Sequence, residues 1–224
     1  RRMAAALTLV SLAAGTARAQ TYVLPDTLWV KVTFYDYHAD STNPDFDENC
    51  GRKPGMVQDT LDADRKPVFL ENLCYNTHVG EWFRPSNAPG AVFDWQSGHW
   101  TNLVPYPSGR PGEYVGTSWD AAYEMADVVV YDSLPFIIED SATGTYEFER
   151  VKPGFFWLDG KGFGNEGNDH NFSFAMELHH EFLYQGGEYF CFRGDDDVWV
   201  FINGQLVMDL GGTLAYWVEA GDPQ

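Results

Sequence analysis

The chain has 224 residues, 44% of them hydrophobic and 16% aromatic, with 14 basic against 33 acidic side chains and a formal charge of −19. Such a length supports one sizeable domain with its own core. The charge argues against nucleic acid as a partner, since no basic cluster exists to release counterions, and it makes contact with an anionic membrane surface unfavourable.

Residues 1–19 read as an export signal peptide outside the fold. Arg1-Arg2 precedes an apolar run from Met3 to Ala14, and Ala17-Arg18-Ala19 is a small-x-small cleavage site before Gln20. The run is too short to span a bilayer, and no later stretch predicts direct membrane insertion. The paired arginines suit a Sec or a twin-arginine signal equally. The expected location is secreted or cell surface. Position 1 is not Met, which points to a piece of a longer, multidomain protein.

Residues 20–224 read as one all-β domain, because helical periodicity is poor while Gly, Pro and aromatic residues are plentiful. Alternation and β-branched content from Leu28 to Tyr37 predict an opening strand. Asp45-Phe46-Asp47-Glu48-Asn49 starts like an EF-hand loop, but Cys50 stands where glycine is needed and Met56 where the bidentate Glu belongs. Cys50 and Cys74 are the favoured disulfide among three possible pairings. Cys191 is then expected to be a buried free thiol. Asp59, Asp62 and Asp64 read as a solvated turn before Val68-Phe69-Leu70.

Residues 72–120 form an irregular, loop-rich insertion holding Trp82, Trp95, Trp100 and Trp119. Flat aromatic faces on loops suit the apolar faces of sugar rings, with Trp95 and Trp100 the best candidates. Alternatively, these rings pack down over the sheet as a flap. Further strands are expected at Leu134–Ile138, Tyr146–Val151 and Asn171–Leu178, with a short helix or strand near 121–130. Gly162 to Gly167 spells G-x-G-x-x-G, but a strand follows it where a dinucleotide site needs a helix. His179-His180-Glu181 lacks the second histidine of a zinc protease, since Tyr184 stands there, and reads as an exposed strand end.

The most informative stretch runs from Gly186 to Gly212. Glu188–Arg193 predicts one strand, and Val198–Ile202, apolar on both faces, predicts a fully buried one. Asn203-Gly204 is a type I′ turn signal, and Leu206–Leu210 returns as the partner strand. At the mouth of this hairpin stand three successive carboxylates, Asp195, Asp196 and Asp197. They read either as a solvated acidic turn or as a site for a hard cation such as Ca²⁺. Side chains alternate along a strand, so Asp195 and Asp196 grip one ion only where the backbone breaks the alternation.

This stretch resembles the signature of the fibro-slime domain, a branch of the protective-antigen-type β-sandwich family. Asn43-Pro44-Asp45-Phe46, Gly55 to Leu61, Phe155 to Gly164 and Asn171 to Phe174 match in order, so that the resemblance spans about residues 29 to 212. It implies an antiparallel β-sandwich or barrel, incomplete at its C-terminal strands and with an exposed edge, since residues 213–224 depart from the pattern. In flocculin-type adhesins of that family an aspartate pair joined by a cis peptide holds a Ca²⁺ that also binds sugar hydroxyls. The spacing from Asp195 to Asn203 matches, which transfers the pair to Asp195 and Asp196. Asp197 stands where the family often has Gly and becomes an additional candidate ligand. Asn203 and Asp209 are lesser ones.

The function expected on this basis is an exported, non-catalytic, Ca²⁺-dependent module that binds extracellular or cell-wall polysaccharide. The domain also resembles those in signalling factors of social amoebae, so a secreted signalling or matrix protein is the alternative. A glycoside hydrolase is a third possibility, disfavoured because consecutive aspartates do not flank a bond.

Overall fold

A computed structural model describes residues 2–11, 23–39, 51, 53–70, 82–85, 92–94, 97, 99–105, 109–115, 128–148, 155–184, 186–192 and 196–212. These residues form an all-β fold without helix. In chain order the strands are β1 (Arg2–Ser11), β2 (Thr27–Asp36), β3 (Phe93–Asp94), β4 (His99–Trp100), β5 (Val104–Pro105), β6 (Glu113–Val115), β7 (Val128–Asp140), β8 (Thr145–Glu147), β9 (Ser173–Phe182), β10 (Val198–Ile202) and β11 (Gln205–Leu210). Nine of them make one sheet in the order β11-β10-β1-β9-β2-β7-β6-β5, with β8 beside β7, while β3 and β4 form a separate ribbon.

Period-two alternation sends apolar side chains to both faces of this sheet, and both are covered. On one face Tyr35, Val129, Ala175, Trp199 and Phe201 lie under Met56, Val57, Trp82, Phe83, Phe93 and Trp100. On the other, Val32, Phe34, Val130, Phe174, Val198 and Val200 pack with Leu158, Phe155, Trp157 and Phe163. The result is sandwich-like, with irregular segments closing each face. Trp82 and Trp100, at 1% and 5% exposure, show that aromatic residues of the 72–120 insertion pack down over the sheet.

Predicted Val198–Ile202 is a strand buried from Val198 to Phe201. Asn203 and Gly204 both have positive φ, 52° and 78°, the condition of the type I′ turn. Leu134–Ile138 is the second half of the longer β7. Tyr146–Val151 is represented by the shorter β8. Glu188–Arg193 departs from expectation, because residues 188–192 are not a strand. Its alternation persists, with Phe190 and Phe192 packed on the second core cluster and Cys191 exposed. Periodicity sets which side of a segment faces the core but does not by itself supply the ladder partner that a strand needs. Cys191 is therefore an exposed thiol rather than a buried one.

Two further features differ from the sequence reading. Arg2–Ser11, expected to lie outside the fold as a leader, forms β1 between β9 and β10, parallel to both. Every other strand pair is antiparallel. β9 and β10 therefore run in the same direction one strand apart, and an extended ten-residue run satisfies the backbone groups that both present to the gap. The outer edge of β11, expected to be open, is lined by residues 53–61. Lys53 N donates to Gly211 O at 2.6 Å, Leu206 N to Asp59 O at 2.8 Å and Leu61 N to Gly204 O at 3.1 Å.

Candidate functional site

The β10–β11 hairpin carries the candidate site at its open end. Asp195 lies outside the described residues, as do Trp95, Cys50 and Cys74. Asp196 and Asp197 directly precede β10 and are almost fully buried, at 4% and 1% exposure. The expectation of a solvated acidic turn is therefore not met for these two. Asp197 has a structural task, since its Oδ1 accepts the backbone N–H of buried Gly212 and closes the hairpin mouth. Asp197→Ala leaves that amide without its carboxylate, and in EDTA the expected loss is about 1–3 kcal/mol in urea denaturation.

The lesser candidates serve the hairpin. Asn203 occupies the turn. Asp209, cross-strand from Trp199, accepts the Trp199 indole N–H at 3.1 Å through Oδ1 and Gly55 N through Oδ2 at 2.5 Å. It thereby ties residues 53–55 to β11. Trp100 presents no ring face to solvent. It lies in the core with its indole N–H donated to Tyr35 Oη at 2.7 Å, which rules out an exposed sugar platform at that position.

Among the described residues no group of three His, Cys, Asp or Glu side chains converges as a metal site. Ca²⁺ takes six to eight oxygen ligands. What fits a cation here is narrower: a buried Asp196 carboxylate at a strand mouth, in a chain of charge −19, where a positive charge offsets the cost of burying the anion. A complete site at this point requires Asp195 and backbone or solvent oxygens as well.

Sequence reasoning missed a fully buried titratable cluster among the described residues. Glu177 on β9 is fully buried and receives Lys66 Nζ on both oxygens at 2.6 Å. Tyr35 Oη donates to Glu177 Oε2 at 2.9 Å. His179 Nε2 lies 2.9 Å from Glu177 Oε1, so the histidine expected at an exposed strand end faces this interior group instead. The Lys66 ammonium lies 3.8 Å from the Phe93 ring centroid and 4.8 Å from that of Trp100, a cation–π cage. Burial pushes the Glu177 carboxyl up, but the charges of Lys66 and His179 outweigh it and hold the group down at about 2. Lys66 is 111 residues from its partner, and a lone lysine before Pro67-Val68-Phe69 carries no sequence signal of that pairing.

Asp62 and Asp64, read as a solvated turn, both pair with Arg84. Asp36, at the end of β2, organises the opposite side of the sheet. Its oxygens accept Phe163 N and Asn171 Nδ2, each at 2.7 Å. The glycine-rich segment resembling a dinucleotide motif is thus a loop fastened to the sheet by a buried carboxylate. Burial pushes the Asp36 carboxyl well up from its ordinary value, against the two donors.

The chain is similar along most of its length to several Dictyostelium discoideum proteins, psiC and psiD among them. It is 33% identical to psiC over 198 residues, covering 82% of this chain and 32% of psiC. It is 32% identical to psiD over 198 residues, covering 84% of this chain and 33% of psiD. To psiI of the same organism it is 48% identical over 80 residues, 32% of this chain and 11% of psiI. The chain spans about a third or less of the curated relatives named here. No protein-family model and no solved structure matches it.

Proposed function

We propose that this chain is an exported, non-catalytic carbohydrate-binding module of the fibro-slime type, in which Asp195 and Asp196 hold a Ca²⁺ that orients sugar hydroxyls. The observation carrying this reading is the burial of two adjacent carboxylates, Asp196 and Asp197, at the mouth of β10. Two side-by-side anions withdrawn from water favour a counter-cation. Asp197 is engaged by Gly212, and the spacing from Asp195 to Asn203 that the chain shares with the adhesin hairpin assigns the ion to Asp195 and Asp196. Bound Ca²⁺ would supply a Lewis-acidic centre for hydroxyl oxygens, and Asp197 and Asp209 would hold the hairpin that presents it. Glu177 and Lys66, at 0% and 1% exposure, are enclosed, and the proposed role uses no acid–base chemistry from them.

Calorimetric titration with Ca²⁺ tests this directly. The wild-type chain is expected to bind one ion with a dissociation constant on the order of 10⁻⁴–10⁻³ M, the range of extracellular modules. Asp195→Ala/Asp196→Ala should abolish the heat, while Asp197→Ala should retain it. A wild-type protein that gives no heat and no change in melting temperature with Ca²⁺ overturns the proposal. The alternative reading is a secreted protein ligand. It predicts saturable binding to cells that excess free sugar does not compete.

A further inference from the structure

β2 and β7 stay paired beyond the point where β9 stops pairing with β2. β9 pairs with β2 only over Val32–Asp36, whereas β7 pairs with it along its whole length from Thr27. On one face of this two-stranded extension Leu28, Val30, Leu134 and Phe136 belong to the core. The opposite face carries Trp29, Lys31, Ser133, Pro135 and Ile137 by alternation, with Trp29 directly across from Pro135 and Lys31 across from Ser133. Trp29 is 64% exposed and Ile137 46%.

Immediately along the same face lies a cleft of about 240 Å³ lined by Lys31, Val32, Ser97, His99, Tyr131, Asp132 and Ser133, with the Asp132 carboxylate turned to the other face, where it accepts Trp157 Nε1 and Lys161 Nζ. Its shape is held from within. The His99 ring stacks on Tyr131 with centroids 4.0 Å apart and planes at 14°, and Lys31 Nζ donates to Ser97 O at 3.1 Å. Tyr131 Oη accepts Trp100 N at 2.7 Å, which fastens the wall to the core.

We infer that Trp29, Pro135 and this adjoining cleft form a carbohydrate subsite that needs no metal ion. An exposed indole beside a proline is a flat apolar platform, suited to the C–H face of a pyranose. The cleft one residue pair further along offers an ammonium, hydroxyls and an imidazole to ring hydroxyls. Its volume is below the roughly 300–1,000 Å³ of drug-sized ligand pockets, which suits a single sugar ring. A chain of charge −19 repels polyanions, so the ligand is a neutral polysaccharide. The inference shares the carbohydrate part of the proposed function and is independent of the ion at Asp195 and Asp196.

The test is native affinity electrophoresis through gels containing hydroxyethylcellulose, xylan, galactomannan or laminarin, each run with EDTA and with Ca²⁺. The wild-type chain is expected to be retarded in at least one gel in the presence of EDTA. Trp29→Ala should weaken that retardation about tenfold or more by removing the apolar platform. Because Trp29 is largely exposed, its variant should keep the wild-type melting temperature. Retardation that disappears with EDTA, or that survives Trp29→Ala, overturns the subsite and leaves the ion-dependent reading standing. Retardation in EDTA that depends on Trp29, with no effect of Ca²⁺, supports the subsite and overturns the ion. No retardation in any gel overturns the subsite.

Discussion

Lys66→Met is expected to lower the unfolding free energy by about 3–5 kcal/mol, because it strands the Glu177 carboxylate in the core without its countercharge. Glu177 is fully enclosed, and its two oxygens receive Lys66 Nζ at 2.6 Å each. The remaining partners are Tyr35 Oη at 2.9 Å, which does not neutralise an anion, and His179 Nε2 at 2.9 Å, whose protonated form is disfavoured by burial. Glu177→Leu should cost a similar amount, since it leaves the ammonium facing an apolar side chain. The double variant Lys66→Met/Glu177→Leu should recover most of the loss, as buried pairs replaced by apolar residues of similar volume usually do. Urea denaturation of the four proteins makes a double-mutant cycle, and additive single losses would refute the coupling.

The same pair predicts a pH dependence. Held down at about 2 in the folded chain, Glu177 releases its proton more readily than in the unfolded one. The unfolded state then binds more protons between about pH 4.5 and 2, and stability falls as pH is lowered through that window. Comparing the melting temperature of the wild type with that of Lys66→Met/Glu177→Leu across the window isolates this contribution. The wild type should show the steeper decline.

Gly162→Ala is expected to destabilise by about 3–5 kcal/mol, combining positive-φ strain with the loss of two buried hydrogen bonds. Gly162 has φ +54°, and a Cβ there would stand 2.0 Å from Asp36 Oδ2. That oxygen accepts Phe163 N, and its partner oxygen accepts Asn171 Nδ2. To admit a methyl group, the carboxylate must leave both donors, which unfastens residues 158–171 from the sheet. Gly164 is the control. Its φ of +80° is similar, but nothing lies within 4 Å of the added Cβ, so Gly164→Ala should cost only about 1 kcal/mol. Equal losses in the two variants would show that backbone strain alone accounts for the effect.

Much of the candidate hairpin was legible in the residues. The Val198–Ile202 run carried its burial on both faces, and Asn203-Gly204 carried its turn, because both signals are local: period-two alternation and tolerance of positive φ. The environment of the aspartates was not legible. Whether Asp196 and Asp197 meet solvent or the interior depends on Gly212 and on residues 53–55, which reach the hairpin from far along the chain. Trp100 and Cys191 show the same limit from opposite sides. An aromatic on a loop and a cysteine in an alternating run were placed wrongly because their neighbours are set by the sheet and not by the adjacent sequence.

The sequence alone determined that the chain is all-β, where its principal hairpin turns, and that its interior is largely aromatic and β-branched. Tertiary structure decided the partners: Lys66 for Glu177, Asp36 for the glycine loop, and Trp29 rather than Trp100 for the exposed ring. The physical reason is range. Backbone preference and side-chain period act over a few residues, whereas a buried charge must find its counterpart wherever the register of distant strands brings one within hydrogen-bonding distance.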